Sequence, residues 1–158
     1  LLFNNKDYAH QIFNIERESS GKKRKDIIKW SDAHKEIYYF FDEEFAKINI
    51  DINLITPLSR DDAKVVVESF INSYSELDDL DTWFTKIKII AKNLGLAESL
   101  KEYKNNPSNY KGYVADIAKV LRLAITGQTQ SPDLYQVMQV LGKDRIINRL
   151  NNFINLLN

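Results

Sequence analysis

The side chains with chemical potential in this sequence are cations rather than nucleophiles. Four are contiguous, Lys22, Lys23, Arg24 and Lys25. Such a run is either a solvated loop or a set of phosphate contacts that adds affinity with little sequence preference. Lys143, Arg145 and Arg149 crowd one predicted helix boundary, where Lys143 also suits the dipole of the preceding helix. Arg122 stands in an apolar stretch, about 80° from the centre of its stripe at ~100° per residue. It therefore emerges at a packing boundary, stem covered and guanidinium facing a cleft, or else forms a surface ion pair of little energetic worth. Ser131-Pro132 reads as an N-cap followed by proline at the first helical position. That is an ordinary helix start, and also a place where free N–H groups can meet a base edge or a phosphate. Leu134, just beyond, reads more readily as core than as contact. His10 and His34 are the only imidazoles and lie far apart; His34 reads as solvated or structural. No nucleophile–base pair, paired carboxylates, metal-ligand spacing or phosphate-cradling glycine loop stands out. The expected chemistry is binding, with no catalytic residue and no metal.

Helical periodicity must position these groups, because it covers most of the chain. Tyr8, Ile12 and Ile15 share a face of a first short helix, and 18–25 reads as a loop. From Ser31, a plausible N-cap, Ile37, Phe41 and Phe45 recur at four-residue spacing, with Tyr38 and Phe40 widening the face. Asp51 to Thr56 could pass for a short extended run. Pro57 and Ser59 then open a helix lined by Val66, Phe70 and Tyr74, with Asp61 and Asp62 in its first turn. Asp78, Asp79 and Asp81 precede a helix carrying Phe84, Ile87, Ile90 and Leu94, closed by Gly95. Val114, Ile117, Ala118, Leu121 and Ile125 line a helix that Gly127 stops. Leu134, Val137, Met138 and Leu141 line the next, ended by Gly142. Ile146, Ile147, Leu150, Ile154 and Leu157 line the last. No pair of alternating strands appears, so the predicted fold is all-α.

Composition sets the outer bounds. The chain has 158 residues, 44% of them hydrophobic, and 22 Lys+Arg balance 22 Asp+Glu. That length buries a core as one domain or two small packed subdomains, and five glycines and three prolines exclude collagen-like or linker character. Zero net charge argues against indiscriminate duplex DNA binding, which needs a basic surplus. Without cysteine there is neither a disulfide framework nor a thiolate zinc site, which fits a reducing compartment and a cytoplasmic location. No apolar run approaches the ~20 residues of a membrane span. The start at Leu1 shows no signal-peptide pattern and suggests a piece of a longer chain.

Three segments in order carry a family likeness: Arg122-Leu-Ala-Ile-Thr-Gly127, Ser131-Pro132-Asp-Leu134 and Leu141-Gly-Lys-Asp-Arg145. Together they resemble the C-terminal anticodon-binding region of bacterial glutamyl-tRNA synthetase. Pro107-Ser-Asn-Tyr-Lys-Gly and Trp83 fit the same pattern, and Ser31-Asp32 with Tyr39-Phe40-Phe41 extends it more weakly. The resemblance implies an all-helical cage of two subdomains, 1–76 on the stem and third-base side and 77–158 beyond it. It implies that Arg122, Ser131, Pro132 and Leu134 contact the first two anticodon bases. Lys22, Lys23, Lys25, Lys143 and Arg145 would then touch phosphates. The arginine that tests the third base in the family aligns with Asp26, with Arg24 two residues earlier, so the discriminating donor is either shifted to Arg24 or Lys25 or missing. The expected partner is tRNA, bound by a monomer. The family's His-Ile-Gly-His and Lys-Met-Ser-Lys-Ser signatures are absent, so this chain needs no cofactor; ATP-dependent attachment of glutamate would belong to a catalytic domain elsewhere. The competing readings are a helical protein-interaction module, marked by an exposed apolar groove, and a small freestanding enzyme.

Overall fold

A computed structural model describes residues 5–16 and 37–158. The basic run 22–25, Asp26, the Ser31 cap and His34 lie outside the described residues. Within them the fold is all-α; the one β-type feature there is an isolated bridge between Ala97 and Tyr113.

Helix α1 (Lys6–Asn14) starts where the Asn5 side chain accepts the Tyr8 N–H, and it buries Ile12. The chain leaves it through Ile15 and Glu16, the latter at φ 65°. The continuous helix expected through Ile37, Phe41 and Phe45 is interrupted. Tyr38–Phe40 is a 3-10 turn, Phe41 is extended at φ −112° and ψ 120°, and α2 (Asp42–Phe45) begins afresh. The break lets two adjacent aromatics, Tyr39 and Phe40, both bury completely, which the ~100° step of a regular helix hinders. Asp42, Glu43 and Glu44 then suit the new N-terminus. Asp51 to Thr56 is likewise not extended. The Asp51 carboxylate accepts the Asn53 N–H at 3.0 Å and winds Ile52–Ile55 into a 3-10 turn.

Ser59 and Asp62 form a reciprocal capping box that opens α3 (Arg60–Ser73), which buries Ala63, Val66, Val67 and Phe70. Asp79 caps α4 (Leu80–Asn93). There Trp83 takes the core position and the expected Phe84 faces outward, 41% exposed, with the Lys88 ammonium 4.9 Å from its ring centroid. Helix α5 (Leu100–Asn105) leads through a 3-10 turn to α6 (Val114–Thr126).

The last three helices enclose the core. On α6 burial extends beyond the predicted stripe to Val120, Leu123 and Ala124, because α3, α4 and α8 all pack around it. A helix apolar on most sides belongs inside. Gly127 ends it at φ 73°, where a side chain would also meet Ile48 at 3.0 Å. Helix α7 (Leu134–Leu141) and α8 (Lys143–Leu157) meet at Gly142. The buried residues form one cluster that draws on α1, α3, α4, α6, α7 and α8. No helix among the described residues is long and apolar enough to cross a membrane.

Candidate nucleic-acid interface

The polar groups worth following gather where α6 ends and α7 begins. Arg122 leaves the last turns of α6 half-buried, and its Nε–H donates to Ser131 Oγ at 2.9 Å. The Ser131 hydroxyl in turn donates to the Pro132 carbonyl at 2.8 Å. The guanidinium is thus held by one edge. Among the described residues Nη1 and Nη2 have no partner, leaving a planar two-donor fork. Burial lowers the Arg122 pKa from its ordinary value, while Asp133 and Tyr39 act in the opposite direction; the group stays a cation at neutral pH.

The connecting loop is held from two sides. Thr126 Oγ1 donates to the Arg122 carbonyl and accepts the Gln128 N–H. The Gln128 amide then donates to Tyr38 Oη at 2.9 Å, and Tyr38 donates to the Thr126 carbonyl at 3.2 Å. From the other side the Glu16 carboxylate accepts the Asp133 N–H at 2.6 Å, and the Glu16 N–H donates to Gln136 Oε1 at 2.6 Å.

Several predicted roles change. The cap of α7 is Asp133, whose carboxylate accepts the Gln136 N–H at 2.9 Å; Ser131 is engaged with Arg122 and Pro132 lies outside the helix. A carboxylate suits the positive helix end better than a hydroxyl does. Moreover, Glu16 already occupies the Asp133 N–H, so this helix start is not an open anion site. Pro132 is buried and Leu134 is 2% exposed, so neither side chain faces outward and both shape the loop from beneath. Arg122 and Ser131 are brought together at the surface. Lys143 is exposed. Two of the three Arg145 nitrogens are engaged within the fold: Nε meets Asp42 Oδ2 at 3.0 Å and Nη1 donates to Tyr8 Oη at 2.7 Å.

That last contact belongs to a cluster which sequence reasoning missed. Arg149, 3% exposed, donates to the Ile125 carbonyl at 2.7 Å and to Asp42 Oδ1 at 2.8 Å, and lies 3.9 Å from the Phe45 ring centroid. Burial works to raise the Asp42 carboxyl, but the Arg149 hydrogen bond and the charges of Arg145 and Arg149 prevail and hold it below its ordinary value. A charged residue inside the stripe Ile146, Leu150, Phe153 was the available signal, since a buried arginine requires partners. Among the described residues no group of three His, Cys, Asp or Glu is placed to hold a metal.

Known proteins match this sequence. The family model described as an anticodon binding domain matches residues 22–154. The chain is 40% identical over 147 residues to a glutamate–tRNA ligase of Clostridium perfringens, covering 92% of this chain and 26% of that one. It is 37% identical over 158 residues to the glutamate–tRNA ligase of Clostridium beijerinckii, covering 99% and 28%. With that of Acetivibrio thermocellus the identity is 36% over 154 residues, covering 98% and 28%. The chain therefore spans about a quarter of the length of these curated relatives.

Proposed function

The chain belongs to the anticodon-binding domain family, and from that premise we propose that it grips the anticodon loop of glutamate tRNA on behalf of a glutamate–tRNA ligase. The observation that carries the reading is the Arg122 fork, oriented through Nε by Ser131 and with neither terminal nitrogen partnered among the described residues. Splayed single-stranded bases are read on their edges by a few aimed donors, and a guanidinium fixed at one edge is such a donor. Arg122 is the reader, Ser131 aims it, and Pro132 and Leu134 support the loop that carries Ser131. Lys22, Lys23 and Lys25, with Lys143, supply phosphate contacts that hold the loop without reading it. The role asks for a monomer in the cytoplasm. ATP-dependent attachment of glutamate falls to other parts of the ligase, since neither nucleotide signature occurs in this sequence.

The test is binding of a tRNA with a glutamate anticodon against one with that anticodon changed. Arg122→Ala is expected to weaken the first by roughly 1–3 kcal/mol, with the helical circular-dichroism signal intact. Equal affinity for both tRNAs, or normal binding by Arg122→Ala, would overturn the reading.

The third base extends the proposal. Asp26, where the family's donor aligns, is an acceptor at neutral pH, which supports a ligase that charges glutamate and glutamine tRNAs alike. Strong rejection of glutamine tRNA by the full-length ligase would exclude this and point to Arg24 or Lys25.

A further inference from the structure

The start of α7 departs from what its own sequence specifies. Asp133 and Gln136 have the spacing of a capping box, in which the cap accepts the N–H three residues on and the Gln136 side chain reaches back to the Asp133 N–H. The first half forms, with Asp133 accepting the Gln136 N–H at 2.9 Å. The second half is opened by Glu16, which stands between its two groups. The Glu16 carboxylate accepts the Asp133 N–H and the Glu16 N–H donates to Gln136 Oε1, each at 2.6 Å.

The stability of α7 does not call for this insertion. A box closed by Gln136 would satisfy the same Asp133 N–H from within the helix. The insertion also holds Glu16 at φ 65°, and among the described residues every other positive φ belongs to a glycine. Glycine enters that region without the clash a Cβ brings. A side chain kept there persists because its surroundings over-determine it, and such positions gather at working sites.

What the insertion adds is a link between helices. Glu16 follows α1, an element fixed by the burial of Ile12 and Ile15 and by the Tyr8 hydroxyl, which donates to the Phe40 carbonyl at 2.9 Å. Through Asp133 it holds the residue two places after Ser131, whose Oγ accepts Arg122 Nε–H at 2.9 Å. Pro132 lies between them, its φ locked by the ring, so little slack separates the two. A box closed locally would cap α7 and leave its first residues untied to α1. The plane of a guanidinium follows the acceptor on its Nε, so play at Ser131 redirects both terminal nitrogens of Arg122.

We propose that Glu16 is a positioning residue for the base-reading site: by entering the α7 capping box it fixes Ser131 relative to α1, and through Ser131 it sets the direction of the Arg122 fork. This rests on the anticodon-binding reading and deepens it.

The test compares Glu16→Gly and Glu16→Gln in this chain, with stem-loop RNAs carrying the glutamate anticodon or that anticodon changed. Glycine removes the carboxylate and suits the positive φ, whereas glutamine keeps an acceptor oxygen at the same reach. Glu16→Gly is expected to hold or raise the urea midpoint, because Gln136 then closes the box. Its preference for the glutamate anticodon should fall about fivefold, with binding of the changed anticodon at the wild-type level, since aim is lost and charge is not. Glu16→Gln should keep most of the preference. In a Ser131→Ala background, Glu16→Gly should remove no further preference, as when one residue acts through another. Undiminished preference in Glu16→Gly, a loss that tracks a lowered urea midpoint, or full additivity with Ser131→Ala overturns the role of Glu16 and leaves the Arg122 reading standing. A wild-type chain with no preference between the two RNAs removes both.

Discussion

At Arg122 the useful property is geometry rather than charge. Its Nε bond to Ser131 fixes the plane of the guanidinium, so the two remaining nitrogens point as a pair. Lysine keeps the charge and loses both the fork and the link to Ser131. Arg122→Lys should therefore bind the glutamate anticodon loop about tenfold or more below wild type, close to the alanine variant. Titration of labelled stem-loop RNA at one fixed salt concentration checks this. Recovery of wild-type affinity by lysine would mean that charge alone suffices and that Ser131 aims nothing. Leu134 makes the converse point: the side chain beside the site is interior, so its substitution reports on packing before it reports on recognition.

Among the elements, α7 separates capping from recognition. Asp133→Ala removes the N-cap and should cost about 1 kcal/mol of stability, read as a shift of the urea midpoint. Ser131→Ala should leave that midpoint nearly unchanged and weaken RNA binding severalfold, because Ser131 caps nothing and orients Arg122. Equal loss of stability in both variants would restore Ser131 as the cap. The helix itself was legible in sequence, but its first residue was not, because Ser131 and Asp133 are both competent caps two positions apart. Local signals were read correctly where one residue decides: the start at Ser59 with Asp61 and Asp62 in the first turn, the stop at Gly127, and the stripe of α3. The break at Phe41 was invisible because it serves Tyr39 and Phe40, whose burial depends on helices elsewhere in the chain. Trp83 displaced Phe84 for the same reason. Of the site, Arg122 and Ser131 were foreseen separately. Their contact, and the clasp of Glu16 on Asp133 across 117 positions, lie beyond any local window.

Across the whole molecule, Asp42 ties distant segments together. Its carboxylate receives Arg145 and Arg149 from α8, Arg145 also reaches Tyr8 on α1, and Arg149 reaches the Ile125 carbonyl on α6. The Asp42 pKa is depressed in the folded state, so the unfolded chain binds the proton more readily. Its stabilisation is therefore complete above the ordinary value of 3.8 and is lost as pH falls through the lower folded value. Asp42→Asn should lower stability at pH 7 and converge on wild type near pH 2, in urea titrations across that range. Parallel curves at all pH values would show that Asp42 titrates alike folded and unfolded.

The joint between α7 and α8 has a consequence of handedness. Gly142 sits at φ 79° and ψ 159°, with nothing within 4 Å of where a Cβ would be. The obstacle to a side chain there is chirality, not room. This backbone region is nearly closed to L-residues, yet its mirror image is ordinary extended backbone. L-alanine at 142 should therefore destabilise by roughly 1–3 kcal/mol. D-alanine, introduced by joining a synthetic C-terminal segment, should be accepted and even stabilise by about 0.4–1 kcal/mol through a stiffer unfolded chain. The angle between the helix that carries the site and the helix that anchors it would then be held by a stereocentre of the opposite hand.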